Sequence, residues 1–165
     1  MELDFTAATA DDAGAIAALR TAVAERLTRD HGRGHWSAAV SARGVLHALR
    51  TARVFVARER SSLVATLTLG TRKPWAIDRS RFTACGRALY LTDMAVAPEE
   101  QRRGIGRRFL EEASRLARAW PADAIRLDAY DAPAGAVGFY ARCGFREVAR
   151  AVYRGVPLVY YELLL

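Results

Sequence analysis

Apolar residues recur along the chain at two spacings, near 3.6 and near 2, and the changes between them predict the elements. A first strand is predicted over Leu3 to Ala8. Thr9 or Asp11 then caps a helix running to about Arg29, in which Ile16, Leu19, Val23 and Leu27 share one face. A glycine-rich break, His31 to His35, precedes a second helix over Ser37 to about Ala52, weakened by Gly44. Arg53 to Arg58 and Ser62 to Leu69 read as a β-hairpin, rich in the β-formers Phe55, Val64, Leu67 and Leu69. Thr71 to Arg87 has no clear period and contains Pro74, which predicts a long loop. Ala88 to Val96 is a strand ended by Ala97-Pro98.

The strongest helical signal covers Gly104 to Trp120, where Ile105, Phe109, Ala113, Leu116 and Trp120 form one face and charged residues the other. Glu111 and Arg115 are spaced to pair on its surface, and Pro121 stops it. A strand over Ala124 to Tyr130, a short helix over Pro133 to Arg142 closed by Gly144, and a hairpin of Phe145 to Tyr153 with Pro157 to Leu165 complete the chain. The order β-αα-ββ-β-α-β-α-ββ suggests an α/β (α+β) fold, a mixed sheet with helices on both faces. At 165 residues the chain suits a single domain over 1–165.

Composition narrows the functional classes. No apolar run approaches the ~20 residues of a membrane span. The first ten residues lack the pattern of a signal peptide, so the expectation is a soluble, cytoplasmic protein. Cys85, Cys143, His31, His35 and His47 fit no zinc spacing, and no metal site is expected. The net charge is +7, and Lys73 is the only lysine among 25 basic residues. That field attracts anions, with coenzyme A and nucleic acid as two candidates. The arginines are spread throughout the chain, which disfavours nucleic acid as a partner.

Candidate chemistry concentrates where a strand meets the best helix, over Val96 to Gly106. A helix N-terminus offers unpaired N–H groups and partial positive charge, and Gly104 and Gly106 permit close approach of a bulky anion. Arg102, Arg103, Arg107 and Arg108 surround the point, so the segment is either a diphosphate cradle or a glycine-started helix with solvated arginines. It is no Rossmann fingerprint, since position 109 is Phe, and no P-loop, since Gly-Lys-Ser/Thr is absent.

Gln101-x-x-Gly104-x-Gly106 resembles the acetyl-CoA signature Q/R-x-x-G-x-G/A of the Gcn5-related N-acetyltransferase (GNAT) family. The strand Leu91 to Val96 followed by Pro98 is similar too, as is Gly138-Phe-Tyr140-Ala-Arg-Cys-Gly144-Phe145, which resembles the family's FYxxxGF segment. The resemblance implies the acyl-CoA N-acyltransferase fold, a mixed, mostly antiparallel sheet flanked by helices, and direct transfer of an acetyl group from acetyl-CoA to a primary amine, on a small molecule or a peptide N-terminus. It implies cofactor contacts from Met94, Ala95 and Val96, on a strand that splays from its neighbour, and from Gln101, Arg102, Arg103, Gly104, Ile105, Gly106 and Arg107. It also implies that Tyr140 donates a proton to the departing thiolate.

Two acids compete for the role of base. Asp128 precedes Tyr140 by twelve residues, the offset of a catalytic glutamate in family members acting on ribosomal-protein alanine. Asp93 lies inside an apolar strand beside the thioester site. Each is equally readable as a structural acid, hydrogen-bonded or salt-bridged. One departure from the family is Pro133, where relatives carry an asparagine; Asp131 is the nearest substitute.

For the acceptor, Trp75 can wall a pocket or pin its loop, and Asp78 can receive an ammonium. His31 to Trp36 is a candidate for the opposite rim. The last hairpin, with Tyr153, Tyr160 and Tyr161, either closes the pocket, forms a homodimer interface or packs as plain sheet. Two rival functions share the fold: a non-catalytic acyl-CoA sensor, and an acetyltransferase acting on charged tRNA.

Overall fold

A computed structural model describes residues 1–165. Seven strands form one sheet in the order β1-β2-β3-β4-β5-β7-β6. They are β1 (Leu3–Ala7), β2 (Arg53–Glu59), β3 (Ser62–Gly70), β4 (Ala88–Val96), β5 (Ala124–Tyr130), β6 (Arg146–Tyr153) and β7 (Val156–Leu164). Four helices accompany them: α1 (Ala13–His31), α2 (Ala42–Thr51), α3 (Ile105–Ala119) and α4 (Val137–Arg142). Every neighbouring pair is antiparallel except β4 and β5, which run parallel. The expected element order and the mixed, mostly antiparallel sheet are both present.

Side-chain alternation sorts the two faces. Along β5, Ile125, Leu127 and Ala129 join the main core with Leu67, Leu69, Leu89 and Leu91. Against that face α3 buries Ile105, Phe109 and Ala113 of the stripe its sequence period predicts, together with Ala117, while Leu116 and Trp120 of that stripe are half-buried at the margin. Burying a side chain such as Phe109 contributes on the order of 2–3 kcal/mol. On the other face α1 and α2 pack Ile16, Ala17 and Val45 onto Val54 and Val56. Farther along that face the segment after β3 packs Ile77 and Phe82 onto Tyr90, Leu158 and Tyr160.

Several local expectations are corrected. The second helix begins at Ala42, not Ser37, because Ser41 caps it by accepting the Gly44 N–H at 3.1 Å. A single 3-10 turn over Ala10–Asp12 precedes α1, with the Asp12 carboxylate accepting the Thr9 N–H at 2.9 Å. The last helix starts at Val137, after a turn in which the Gly135 N–H donates to the Ala132 carbonyl. A side chain at Gly135 would collide with the Tyr130 carbonyl oxygen, so the turn packs too tightly for any other residue. Arg115 pairs with Glu112, three positions away, instead of the expected Glu111, four away.

Candidate functional site

The parallel pairing of β4 with β5 covers only Ala88–Ala124, Leu89–Ile125 and Tyr90–Arg126. Beyond it β4 continues to Val96 paired only with β3, while β5 continues to Tyr130 paired only with β7. The sheet therefore opens into a wedge, with one edge of Met94 to Val96 lacking a strand partner. A β-bulge starts the divergence: Thr66 faces Ala95 and Thr68 faces Thr92, so Asp93 and Met94 stand opposite Leu67 alone. Asp93 takes φ +55°, which an aspartate tolerates better than most residues.

A cleft of about 570 Å³ occupies the wedge. Its walls are Val23 and Leu27 from α1, Met94, Ala95 and Val96 from β4, Glu100, Gln101, Arg102, Gly104, Ile105, Gly106 and Arg107 around the start of α3, and Ala134 to Ala136, Phe139, Tyr140, Arg142 and Cys143 from the α4 region. The first backbone bond of α3 runs from Arg108 N to Gly104 O, and no amide from Gln101 to Arg107 has a backbone acceptor. These N–H groups and the helix dipole form a positive concavity. Gly104 supplies the turn, at φ +80° with open space around its α-carbon. Gly106 lines the cleft, and a β-carbon there would stand 3.0 Å from the Phe139 ring, so its smallness also lets α3 meet α4.

The arginines divide. Arg102 and Arg107 line the cleft, and Arg107 also donates to the Arg142 carbonyl at 3.1 Å. Arg103 turns away to ion pairs with Glu59, at 2.9 Å, and with Glu100. Arg108 reaches the Met1 carbonyl at 3.2 Å. Gln101 folds back, its amide donating to the Val96 carbonyl at 3.1 Å. The side chain of Ile105 belongs to the core.

Tyr140 is buried at the apex of the wedge, its hydroxyl 3.9 Å from the Met94 sulfur. Rings of Phe139, Phe145 and Tyr161 surround it at 5.2, 5.7 and 6.0 Å, which fixes its position. Burial foremost, then the charges of Asp128 and Cys143, push its phenol well above the ordinary value, so the proton stays on.

The two acids differ. Asp93 is bound by Arg20 of α1 at 2.7 Å. Asp128 has no hydrogen bond or ion pair with any side chain, and desolvation raises its pKa above the ordinary aspartate range. Tyr130, two residues on and on the same face, has its own pKa raised by burial and then by Asp128 and Asp93, so both carboxylates lie near it. Sequence reasoning missed Tyr130 and Arg20. The alternation of β5 from Asp128 was the signal for the first, and nothing local signalled the second.

Other candidates lie elsewhere. Trp75 and Asp78 do not line the cleft, and neither do the acids Asp93 and Asp128. Trp75 stands 87% exposed, and the Asp78 carboxylate closes a turn by accepting from the Ser80 N–H and hydroxyl, which lower its pKa. Asp131 is held by Arg150 at 3.1 Å. His35 and Trp36 do come to the wedge, against Tyr130. No helix is long and apolar enough to cross a membrane.

A wedge between parallel strands, a run of open amides and a buried tyrosine define an acyl-transfer scaffold. A family model described as an acetyltransferase (GNAT) domain matches residues 50–147, and the chain belongs to the GNAT acetyltransferase family. Solved structures share the fold across the whole chain. The PaiA N-acetyltransferase from Thermoplasma acidophilum, in complex with coenzyme A, aligns with TM-score 0.76 and 15% identity over 100% of both chains. YncA from Salmonella typhimurium, solved with its cofactor acetyl-CoA, aligns with TM-score 0.71 and 19% identity over 99% of this chain and 94% of its own. The ribosomal-protein-alanine N-acetyltransferase from Brucella melitensis aligns with TM-score 0.73 and 20% identity over 98% of this chain and 99% of its own. Among curated proteins, none matches the chain in sequence.

Proposed function

We propose that the protein transfers an acetyl group from acetyl-CoA to a primary amine, on a small molecule or a peptide N-terminus, by direct attack in a ternary complex. The observation that carries this reading is a cleft that runs from a turn of open amides to the buried Tyr140, whose phenol feels the charge of the unpaired Asp128. Gly104 leaves that end clear, and Arg102 and Arg107 flank it, a donor set suited to the diphosphate of coenzyme A. The unpaired edge of Met94, Ala95 and Val96 supplies hydrogen bonds for the pantetheine arm and an N–H for the developing oxyanion.

Asp128 acts as the base. A carboxylate without a cation partner, with its pKa raised by desolvation, accepts a proton from the incoming ammonium more readily than Asp93, whose charge Arg20 neutralises. The freed amine attacks the thioester carbonyl, the carbon–sulfur bond breaks, the sulfur takes its proton from Tyr140, and the second proton shed by the acylated nitrogen restores the tyrosine hydroxyl. A thiol of pKa about 8.5 needs only modest assistance to leave. Acetyl-CoA brings the activated acyl group; the chain contributes orientation, proton transfer and exclusion of water.

Thiol release from acetyl-CoA across a panel of primary amines tests the proposal. Release that depends on the amine, with Tyr140→Phe lowering kcat about a hundredfold or more while coenzyme A affinity stays constant, is the expected result. Coenzyme A uptake without transfer to any amine refutes it in favour of a sensor.

A further inference from the structure

We infer that Tyr130 sets the acceptor preference of this site, as a positioning residue that clasps the α1–α2 connection over the Asp128 face and favours an ammonium carried beside an apolar or aromatic group. The inference rests on the acetyltransferase reading above.

Tyr130 follows Asp128 by two positions in β5, so both side chains leave the same face of the sheet. Its hydroxyl donates to the His35 carbonyl at 3.1 Å. Its ring carries the His35 ring at 6.4 Å, nearly parallel at 28°, and meets Trp36 edge-on at 6.0 Å. The other hydrogen bonds of this connection are internal or go to α1 and α2, the latter through Ser41. Trp36 donates to the Gly32 carbonyl, Ser37 binds Thr28 and Gly34, and Val40 binds Thr21. Tyr130 is thus the one hydrogen-bonded tie between residues 32–41 and the sheet.

The chemistry of the enclosed face follows. Asp128 presents an unpaired carboxylate on the same face of β5 as the Tyr130 ring. An ammonium is attracted by both, and an apolar group attached to it gains contact with the aromatic cluster. The burial and nearby charges that raise the Tyr130 pKa keep its hydroxyl protonated, and so keep it a donor to His35. Loss of that proton or of the hydroxyl releases the connection and with it the roof of the acceptor side.

Tyr130→Phe removes the hydroxyl and leaves the ring. Hydrogen exchange read by mass spectrometry is expected to quicken about fivefold across residues 33–39, the loss of one neutral hydrogen bond, with α3 unchanged. With 2-phenylethylamine as acceptor, KM is expected to rise about fivefold while kcat stays within about twofold and coenzyme A affinity is constant. Tyr130→Ala, lacking the ring as well, is expected to erase the preference for 2-phenylethylamine over ethanolamine. Unchanged exchange in Tyr130→Phe overturns the clasp. An active enzyme that prefers ethanolamine, or whose preference survives Tyr130→Ala, overturns the specificity role while the acetyltransferase reading stands. If the wild-type protein takes up no coenzyme A, that reading falls and the specificity role with it, while exchange still decides the clasp.

Discussion

The guanidinium of Arg20 in α1 lies 2.7 Å from the carboxylate of Asp93, and Asp93 is the residue at which β4 passes through positive φ. One ion pair therefore joins a helix to the bulge that opens the sheet. Both partners are partly exposed, so the pair is worth about 0.5–1 kcal/mol. Arg20→Ala is expected to lower Tm by about 2–4 °C at most. Asp93→Ala should cost more than Asp93→Gly, because alanine at φ +55° adds backbone strain of about 1 kcal/mol that glycine avoids. Thermal unfolding of the three variants checks the order.

Asp128→Asn separates function from stability. As base, Asp128 must be ionised, so wild-type kcat/KM falls as pH drops through its raised pKa. The variant should lose about a hundredfold in kcat/KM and the acidic limb with it. Stability moves the other way. A folded pKa above the unfolded one gives stability that is complete below the unfolded value and is lost as pH rises through the folded value. At neutral pH the wild type therefore bears the cost of burying the charge. Asp128→Asn should unfold at a higher temperature at pH 7, with the advantage vanishing near pH 3, as thermal scans at both values would show.

Gly104 and Gly106 should respond differently to alanine. Gly104→Ala meets open space but positive φ, a cost of about 1 kcal/mol, and should weaken coenzyme A binding by distorting the amides. Gly106→Ala places a methyl 3.0 Å from Phe139, pushing α4 and with it Tyr140. Phe139→Leu should restore kcat in the second variant and leave the first unimproved, as steady-state kinetics of the double variants would reveal.

Glu162 is 1% exposed, and its carboxylate accepts from the Thr83 N–H at 3.1 Å, the Thr83 hydroxyl and Arg146 at 2.7 Å. Desolvation raises its pKa, but the bonds from Thr83 and Arg146 outweigh it and the net shift is downward. That contribution is present above the unfolded pKa and lost as pH falls through the folded one. Glu162→Ala is expected to cost about 3 kcal/mol at pH 7, less in acid, with coenzyme A affinity unchanged. Denaturant titration at two pH values checks it.

The sequence alone determined the order of the elements and the open-amide end of the cleft. Periodicity is a local property, and it marked α3 through Ile105, Phe109 and Ala113. The short-range pattern Gln101 to Gly106 marked the open amides, because both the turn and the dipole belong to one helix terminus. What tertiary structure decided is how distant groups pair. Arg103 and Glu59, Arg20 and Asp93, and Tyr130 and His35 meet only because the sheet folds them together. Arg103 had looked like a phosphate ligand because a charge in sequence has no visible partner. Asp93 and Asp128 had looked alike for the same reason, and α1 distinguishes them by placing Arg20 against one and leaving the other unpaired. Hydrophobic period is written into neighbouring residues, whereas the electrostatic environment of a charge is set by whatever the fold brings within a few ångströms of it.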